Sequence, residues 1–390
     1  MTEWKEYKFS DFVEINPSVK IPKGIPVSFV EMKDLDSSVR YCESSQKKEL
    51  TGGSRFINGD TLFARITPCM ENGKICQVRN LENGIGFGST EFHVLRGKDG
   101  VSDSDFVYYL SRWDEVRDHA EHNMEGSSGR QRVPKQAFDN LYLNLPPLPT
   151  QHRIASILSS LDDKIDLLHR ENATLEQMAE TLFRQWFVVE AKEEWEEGKL
   201  TDYIKLIGGG TPKTAEESYW NGNVCWLSGG DIANNHKGFV SDSEKHISEI
   251  GLNNSAAKLL PENALVVSAR GTVGKYCLLS KPMAFSQSNY GILPTFEDCY
   301  FFTYLLVAHN IDELQSAAYG SVFDTITTKT FDGVIVTLPQ DKEEIVSFEK
   351  IVSPYFEKIK KNQKQIQTLI QTRDGLLPRL MSGEVNLLKG

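Results

Sequence analysis

Polar and cationic side chains in the first half of the chain occur in loop-like segments, and their types suit contacts with nucleic acid. Arginine and lysine suit guanine edges and phosphates, asparagine and glutamine suit adenine, and serine and threonine position phosphates. The candidate contact residues are Arg65, Thr67, Asn72, Lys74, Ser89, Thr90, Arg130, Gln131, Arg132 and Lys135, with Glu91, Ser127, Ser128 and Gly129 beside them.

The second half carries a similar set of polar and cationic side chains in comparable segments. Its candidates are Thr211, Lys213, Arg270, Thr272, Lys275, Gln287, Ser288, Asn289, Tyr290, Thr328 and Lys329, with Ser286, Ser321 and Thr327 beside them. A single polar loop is weak evidence, because most such loops are only solvated. The occurrence of these sets in both halves is the stronger indication of a binding function.

Signatures of catalysis are missing from the same chain. The sequence has no GxxxxGK[ST] phosphate loop, no GxGxxG after a strand, no GxSxG elbow, no kinase set, no amino-methyltransferase motif and no common nuclease signature. The glycine-rich segment Gly208–Pro212 lacks the Lys-Ser/Thr pair that holds a nucleotide, so we expect a flexible loop there. The sequence therefore predicts a chain with no active site of its own.

No metal site is expected from the spacing of cysteines and histidines. No CxxC pair occurs, which favours reduced core thiols over a disulfide framework or a zinc site. His119 and His122 form an HxxH without a third ligand placed by spacing, so they indicate a solvated helix face. The cysteines are Cys42, Cys69, Cys76, Cys225, Cys277 and Cys299.

Length, charge and hydropathy set further limits. The chain has 390 residues, which is enough for two or three domains, and 43 basic against 54 acidic residues give a net charge of −11. This charge argues against a uniformly basic nucleic-acid-coating protein, although local basic faces remain possible. Without a membrane-spanning apolar run or a signal-like N-terminus, we expect a cytoplasmic protein with no membrane partner.

The sequence contains an internal repeat, because segments of its first half match segments about half the chain length further on. The segment WKEYKFSDFVEIN from Trp4 matches WEEGKLTDYIKLI from Trp195 in its polar and apolar positions. The other matched pairs are Leu62–Arg65 with Leu265–Arg270, Gly73–Cys76 with Gly274–Cys277, Phe87–Phe92 with Phe285–Tyr290, and Phe138 to Pro146 with Phe331 to Pro339. Two copies of one two-part unit therefore make up the chain.

Each copy begins with a segment whose pattern predicts a globular α+β domain. Short β-rich runs, such as Thr61–Ile66, Ala264–Ala269 and Val334–Leu338, alternate with turn residues. Each copy then ends in a long predicted helix, from about Gln151 to Phe187 and from about Lys342 to Leu380. At 1.5 Å per residue, each helix would be on the order of 55 Å long, which suits a spacer.

The apolar positions of both helices follow a coiled-coil seam with alternating steps of three and four. The narrow seam predicts that the two helices pair antiparallel, with the globular domains at opposite ends. Asn172 and Asn362 occupy seam positions, as register-setting buried amides or at a wet edge of the seam. The seam residues are Leu161, Ile165, Leu168, Asn172, Leu175, Ala179, Leu182 and Trp186, and Val352, Tyr355, Ile359, Asn362, Ile366, Leu369, Arg373, Leu376 and Leu380.

Three segments resemble the specificity subunits of type I restriction-modification enzymes. LPPLPTQHRIASILSSLDDKIDL at residues 145–167, continuing to LFRQWF at 182–187, is similar to that family's central conserved region. LLPRLMSG at residues 376–383 resembles the end of its second conserved region, and IGGGTP at 207–212 the start of a second target recognition domain. One departure is Gln340–Ile345, where the proline-rich start of the helix is absent.

This resemblance implies a division of the chain and a set of partners. Target recognition domains at residues 1–148 and 189–339 would each read half of a bipartite double-stranded DNA target, and spacer helices at 149–188 and 340–390 would fix the gap. The subunit itself would hold no cofactor. Two modification subunits would use S-adenosylmethionine, docking along the helix seam, and restriction subunits would use ATP and Mg, as a phage-defence system.

Two other interpretations remain open from the residues alone. The chain could be a coiled-coil scaffold whose duplicated domains bind proteins or glycans. It could also be a separate specificity module of an otherwise single-chain restriction-methyltransferase, with another chain supplying the methylase motifs.

Overall fold

The computed structural model describes residues 4–22, 24–127, 129–319, 325–340 and 342–385. The chain divides into two units, one formed by Met1–Leu167 with Ile366–Gly390 and the other by Leu168–Gln365. Each unit therefore contains a globular body and parts of two long helices.

The first unit contains three sheets. They have the strand orders β1-β11, β2-β10-β7-β8-β4 and β5-β3-β9-β6. The strands are β1 (Lys5–Lys8), β2 (Val13–Ile15), β3 (Val27–Val30), β4 (Tyr41–Cys42), β5 (Gln46–Lys48), β6 (Ser54–Ile57), β7 (Thr61–Ala64), β8 (Ile75–Val78), β9 (Ile85–Gly88), β10 (Phe92–Gly97) and β11 (Tyr142–Leu145). The helices are α1 (Phe9–Phe12), α2 (Ser104–Arg112), α3 (Asp114–His122) and the start of α4 (Leu148–Arg184).

The second unit repeats this topology strand for strand. Its orders are β12-β22, β13-β21-β18-β19-β15 and β16-β14-β20-β17. The strands are β12 (Glu196–Lys199), β13 (Ile204–Gly208), β14 (Trp220–Leu227), β15 (Phe239–Val240), β16 (Lys245–Ile247), β17 (Leu259–Leu260), β18 (Leu265–Ser268), β19 (Tyr276–Leu279), β20 (Met283–Phe285), β21 (Asn289–Pro294) and β22 (Ile335–Leu338). The helices are α5 (Leu200–Tyr203), α6 (Gly229–Asn234), α7 (Glu249–Asn253), α8 (Tyr300–His309), α9 (Ile311–Tyr319), α10 (Thr328–Gly333) and α11 (Lys342–Met381). The predicted internal repeat and α+β class are confirmed.

The five-stranded sheet of each unit is buried on both faces. In the first unit, Phe63 and Leu95 pack with α1, α2 and the long helices, whereas their neighbours Leu62 and Val94 pack towards the four-stranded sheet. The same alternation occurs in the second unit. Because successive side chains of a strand point to opposite faces, a strand between two cores reads as a continuous apolar run.

The two long helices run antiparallel in each unit. In the first unit, Asp162 of α4 contacts Arg373 of α11, and Ile154 and Leu158 share a core with Leu377 and Leu380. In the second unit, Asn172 faces Asn362, and further along Phe183 and Phe187 pack on Phe348. The long helices and their antiparallel pairing were predicted correctly; Asp341, at the expected start of the second helix, lies outside the described residues.

Of the two alternatives for the seam asparagines, a buried amide or a wet edge, the structure supports a buried amide at Asn362. Its side chain is inaccessible to solvent, and its Nδ2 donates to Asn172 Oδ1 and to Glu171 Oε2, both at 2.8 Å. Asn172 is half-buried. A buried amide pair costs stability in an apolar seam but disfavours shifted registers, because a shift would leave the amides unpaired.

The glycine-rich segment is packed, so the expectation of a flexible loop was wrong. A Cβ at Gly209 would lie 2.2 Å from the Ser286 carbonyl oxygen, and one at Gly210 would lie 2.2 Å from the Ala256 carbonyl carbon. The Gly210 carbonyl also accepts a hydrogen bond from Trp226 Nε1 at 2.9 Å. Glycine is therefore required here because the backbone passes close to its neighbours.

Two other expectations concern the histidines and the cysteines. His119 is not simply solvated, because it is half-buried and its Nε2 lies 2.9 Å from the Ala137 carbonyl oxygen, whereas His122 is exposed on α3. All six cysteines are unbridged, and all except Cys69 are buried, as expected for core thiols. Among the described residues, no helix combines the length and the apolar character needed to cross a membrane.

Candidate nucleic-acid interface

Three candidate segments of the first unit meet at one end of its five-stranded sheet. β7 ends at Ala64 and its antiparallel neighbour β10 begins at Phe92, so the residues just beyond, Arg65 and Glu91, are adjacent. The Arg65 amide donates to the Glu91 carbonyl at 3.0 Å, and the Val133 amide donates to the Arg65 carbonyl at 2.8 Å. The fold thus brings the loops that follow β7, precede β10 and precede β11 into one cluster, which we call reader loop cluster 1 (residues 65–74, 89–91 and 125–135).

The cationic groups of cluster 1 differ in how far they are already engaged. Arg132 forms a bidentate ion pair with Glu91, with Nη2 to Oε1 at 2.7 Å, and this bond is the main cause that lowers the pKa of Glu91. Arg65 is half-buried, and its Nε has no hydrogen-bond partner among the described residues. Lys74 donates to the Met32 carbonyl at 2.9 Å. Arg130 and Lys135 are exposed.

A buried histidine lies beneath this cluster and was not found from the sequence. Burial, with Arg65 and Lys135 nearby, lowers the pKa of His93 to about 4, so its ring is neutral near pH 7. Its Nε2 lies 2.8 Å from the Val133 carbonyl oxygen and so donates to it. Because His93 is a single histidine within an apolar strand, nothing in the sequence indicates that it bonds to the Val133 carbonyl.

The polar residues of cluster 1 are partly structural and partly accessible. Thr67 is buried and its Oγ1 accepts from the Gln131 amide at 3.1 Å, while Ser89 Oγ accepts from the Glu91 amide at 3.1 Å. Asn72 and Thr90 are exposed, and Gln131 is half-buried. Ser127 and Gly129 are also exposed, whereas Ser128 lies outside the described residues.

The second unit assembles its loops with the same backbone bonds. The Ala269 amide donates to the Ser288 carbonyl at 3.0 Å, and the Ile326 amide donates to the Ala269 carbonyl at 3.1 Å. The Ser268 amide donates to the Lys275 carbonyl at 2.7 Å, as the Ala64 amide does to the Lys74 carbonyl at 3.1 Å. Reader loop cluster 2 (residues 269–275, 286–290 and 325–329, with the neighbouring 211–213) is therefore equivalent to cluster 1.

Cluster 2 exposes a different selection of side chains. Its exposed candidate residues are Lys213, Arg270, Gln287, Thr328 and Lys329, and Thr327 beside them is exposed as well. Lys275, Thr211 and Ser288 are half-buried. Ser321 lies outside the described residues.

Other candidates in cluster 2 are held by structural bonds. Thr211 Oγ1 donates to Gln287 Oε1, and Thr272 Oγ1 donates to the Gly229 carbonyl at 3.1 Å. Asn289 is buried with its Nδ2 on Ser286 Oγ at 2.8 Å, and half-buried Tyr290 packs edge-on against Phe331.

The structure shifts two pairings of the repeat by one residue. The sequence match placed Arg65 opposite Arg270 and Glu91 opposite Asn289, but the shared bonds make Ala269 the equivalent of Arg65 and Ser288 the equivalent of Glu91. Arg270 therefore corresponds to the next residue, Ile66. Arg65 is half-buried, whereas Arg270, one position further along the repeat, is exposed.

Buried polar contacts attach the first globular body to both long helices. Asp162 of α4 is 1% exposed and Arg373 of α11 is 3% exposed, and Arg373 Nη1 donates to Asp162 Oδ1 at 2.7 Å. Tyr109 of α2 donates to Asp162 Oδ2 at 2.6 Å. The sequence placed Arg373 on the seam but missed Asp162, because a buried carboxylate does not follow an apolar pattern.

Equivalent attachments in the second unit involve α8. Glu349 of α11 accepts from the amides of Phe301 and Phe302 at 3.1 and 2.7 Å, which caps the start of α8. Tyr304 of α8 donates to Glu176 Oε1 of α4 at 2.6 Å. Each globular body is therefore fixed to segments of both long helices by directional bonds.

The predicted seam residues vary in burial. Ile165, Leu168, Ile359, Asn362 and Ile366 are buried, whereas Leu161, Asn172, Leu175, Leu182, Leu369 and Leu376 are half-buried. Ala179 of the seam is buried, and so are Leu158, Phe183 and Phe187 beside the seam; all four pack in the cores of the globular bodies. The buried face is thus wider than a two-helix seam.

Comparison with known proteins gives a consistent result. The model of the family described as "Type I restriction modification DNA specificity domain" matches residues 1–177 and 192–371. The HindI specificity subunit of Haemophilus influenzae is 28% identical, with 99% of this chain and 100% of that protein covered. The MjaIX specificity subunit of Methanocaldococcus jannaschii is 25% identical, with 99% and 94% covered.

A solved structure supports the fold. The type I restriction-modification S subunit from M. genitalium superposes with a TM-score of 0.56 at 16% sequence identity, covering 97% of this chain and 96% of that chain. At this identity the likeness concerns the arrangement of the chain and not its individual contact residues.

Proposed function

The chain belongs to the type I restriction-modification DNA specificity family, and we propose that it recognises a bipartite double-stranded DNA target with one reader loop cluster in each unit. Specificity subunits of this family are not catalytic, and catalysis lies in partner subunits. The observation that carries the proposal is the duplication: the same backbone bonds assemble equivalent polar loops in both units.

Within each cluster, we assign DNA contacts to a subset of the exposed polar and cationic side chains. In cluster 1 these are Asn72, Thr90, Arg130 and Lys135, with Gln131 at the edge. In cluster 2 they are Lys213, Arg270, Gln287, Thr328 and Lys329. The remaining predicted residues, including Arg65, Thr67, Ser89, Thr272 and Asn289, would contribute by holding the loops in shape or after local rearrangement.

The long helices would set the gap between the two half-sites. Directional bonds to Asp162 and Arg373 in the first unit, and to Glu176 and Glu349 in the second, would fix each reader to the helices. A rigid attachment is needed because a freely hinged reader could not enforce one spacing. The outer faces of the same helices are the proposed docking surface for the methyltransferase subunits.

The assembled complex would contain two modification subunits with S-adenosylmethionine, and restriction subunits that use ATP and Mg. We place the complex in the cytoplasm, where its DNA target is. The alternative of a scaffold for protein or glycan partners is not favoured, because the family match and the relatives named above are specificity proteins.

The net charge of −11 is unusual for a chain that binds DNA and has to be explained. Each phosphate that is neutralised with release of counterions requires a lysine or an arginine. Many carboxylates lie outside the reader clusters, including the exposed Glu193, Glu194, Glu196 and Glu197. We therefore propose that the isolated chain binds DNA weakly and that the modification subunit supplies further positive surface.

Salt-dependent titration tests this proposal. The isolated chain and its complex with the modification subunit would each be titrated with duplexes that contain or lack the target. We expect target-specific affinity only for the complex, with a steeper dependence on salt concentration. Nanomolar target-specific binding by the chain alone would overturn the shared-binding proposal, and failure of the complex to discriminate the target would overturn the function itself.

A further inference from the structure

Three side chains of the second unit meet in an arrangement that the recognition function does not use. Cys225 on β14, Asp242 after β15 and His246 on β16 place one thiol, one carboxylate and one imidazole together. The cross-strand register pairs Cys225 directly with His246, so their side chains leave the same face of the sheet. We propose that these three residues bind a zinc ion that stabilises the second reader.

The distances between the three donor atoms fit one metal ion. Cys225 Sγ lies 3.3 Å from Asp242 Oδ1 and 3.5 Å from His246 Nε2, and His246 Nε2 lies 2.9 Å from Asp242 Oδ1. Around a tetrahedral zinc ion with bonds of about 2.0–2.3 Å, such ligand atoms are separated by about 3.3–3.6 Å. Small outward shifts of two side chains would therefore complete one face of a tetrahedron.

The chemistry of the donors selects the metal. A thiolate with an imidazole suits zinc, whereas magnesium and calcium prefer sites made only of oxygen ligands. Cys225 is buried while Asp242 is exposed, which leaves the fourth position open to water.

The first unit shows that the fold does not need this cluster. The backbone bonds that make Ser288 the equivalent of Glu91 also make Phe285 the equivalent of Gly88, so the register of β3 with β5 and β9 makes Ser28 the equivalent of Cys225 and Lys47 the equivalent of His246. The same sheet therefore forms with a serine and a lysine, neither of which is a usual zinc ligand. The three ligands are an addition confined to the second unit, and their wide spacing in sequence hides them from metal-motif searches.

An ion at this position would brace the loop of residues 241–244 against β14. That loop already receives a hydrogen bond from the Trp226 amide on Ser243 Oγ at 3.0 Å and donates from the Glu244 amide to Asp231 at 3.0 Å. Asp231 belongs to α6, and the Gly229 carbonyl at the start of α6 accepts from Thr272 of cluster 2. The ion would thus support the base of a reader loop without touching DNA.

The first experiment measures metal in the full chain, purified without chelator and dialysed against metal-free buffer. We expect about one zinc ion per chain, and at least about a tenfold lower content in Cys225→Ser and His246→Lys, which carry the residue types of Ser28 and Lys47 in the first unit. Cys299→Ser, which removes another buried thiol of the same unit, should keep its zinc. Equal zinc content in all variants would place the ion elsewhere and overturn the proposal.

Cobalt substitution tests the same site without relying on the variants. Titration of the metal-free wild-type chain with Co²⁺ should produce the intense ultraviolet band of a cobalt–thiolate bond and the visible bands of tetrahedral cobalt. Added zinc should abolish these bands. The absence of these bands in the wild-type chain, or their persistence in Cys225→Ser, would exclude the site. The result is independent of the proposed function, because neither readout involves DNA.

Discussion

At the scale of single residues, the reader clusters contain two kinds of cation. Arg132 is neutralised by Glu91, and Lys74 is held by a carbonyl, so both act mainly within the protein. Arg130, Lys135, Arg270 and Lys329 are exposed and can meet an anionic partner. Residue type alone could not separate these classes, because the difference depends on which side of the chain each side chain leaves.

Replacing an exposed arginine should weaken DNA binding without affecting folding. We expect Arg130→Ala and Arg270→Ala each to reduce the target affinity of the complex by about 1–3 kcal/mol if the arginine contacts a base edge. A phosphate contact would instead lower affinity on all sequences and reduce the salt dependence by about one unit of slope. Fluorescence anisotropy at several salt concentrations distinguishes the two cases.

A matched control removes a charge at the other end of the same sheet. Lys98 follows the far end of β10 and donates to the Ser10 carbonyl at 2.7 Å, so Lys98→Gln loses one positive charge away from the loops. Its affinity for DNA should stay close to that of the wild type. An effect equal to that of Arg130→Ala would mean that net charge and not position determines binding.

At the scale of elements, the sequence was most informative where a pattern repeats. The long helices and the duplicated strands were predictable because apolar periodicity and self-similarity extend over many residues. The attachments between elements were not predictable, because Asp162 and Glu349 are buried carboxylates, Glu176 is a half-buried one, and the partners of all three lie far away in sequence. The loops could be predicted as a set, but one-residue shifts, as between Arg65 and Arg270, reverse the direction of a side chain.

The buried pair between α4 and α11 should make a large, coupled contribution to stability. Asp162→Leu leaves the Arg373 guanidinium buried beside only the exposed Asp374, and we expect a loss of about 3 kcal/mol in the free energy of unfolding. Arg373→Met should cost a similar amount, and the double variant should recover much of it. Urea denaturation of the four proteins measures the coupling.

The exposed pair of Lys47 with Glu82 provides the comparison for this cycle. Its Nζ–Oε1 distance is 2.9 Å, yet both side chains are about half exposed, so its coupling should stay below about 1 kcal/mol. Additive effects at Asp162 and Arg373 would show that the buried pair does not join the helices energetically.

The cap that Glu349 provides to α8 should make stability depend on pH. Burial, opposed by the hydrogen bonds from Phe302 and Phe301, raises the pKa of Glu349 from its ordinary 4.5 to about 7. Between these values the unfolded chain ionises while the folded chain keeps its proton, so the free energy of unfolding falls as pH rises. The loss approaches about 3 kcal/mol above pH 7.

Denaturation at pH 5 and pH 8 tests this linkage. The decrease in stability between the two values should be smaller in Glu349→Gln, which cannot ionise. Glu357→Gln, at an exposed position on the same helix, should retain the decrease of the wild type. An identical decrease in Glu349→Gln would show that other groups cause the pH dependence.

At the scale of the whole molecule, the boundary between the two units falls between Leu167 and Leu168 in α4 and between Gln365 and Ile366 in α11. These positions are the natural places to alter the proposed spacer. Inserting seven residues into both helices at these points keeps the seam in phase and adds about 10 Å, or roughly three base pairs of DNA. Methylation-site mapping should show a longer gap between unchanged half-sites, or loss of methylation. An unchanged gap would contradict the spacer role.

The central claim is that each unit reads one half of the target, and exchange of a single reader tests it most directly. Residues 1–148 would be replaced by the corresponding domain of a family relative, and the chain expressed with its modification subunits. Genome-wide mapping of methylated adenines should then show a bipartite motif in which one half has changed, while the other half and the gap are those of the wild type. A change in both halves, or a single continuous motif, would contradict the account.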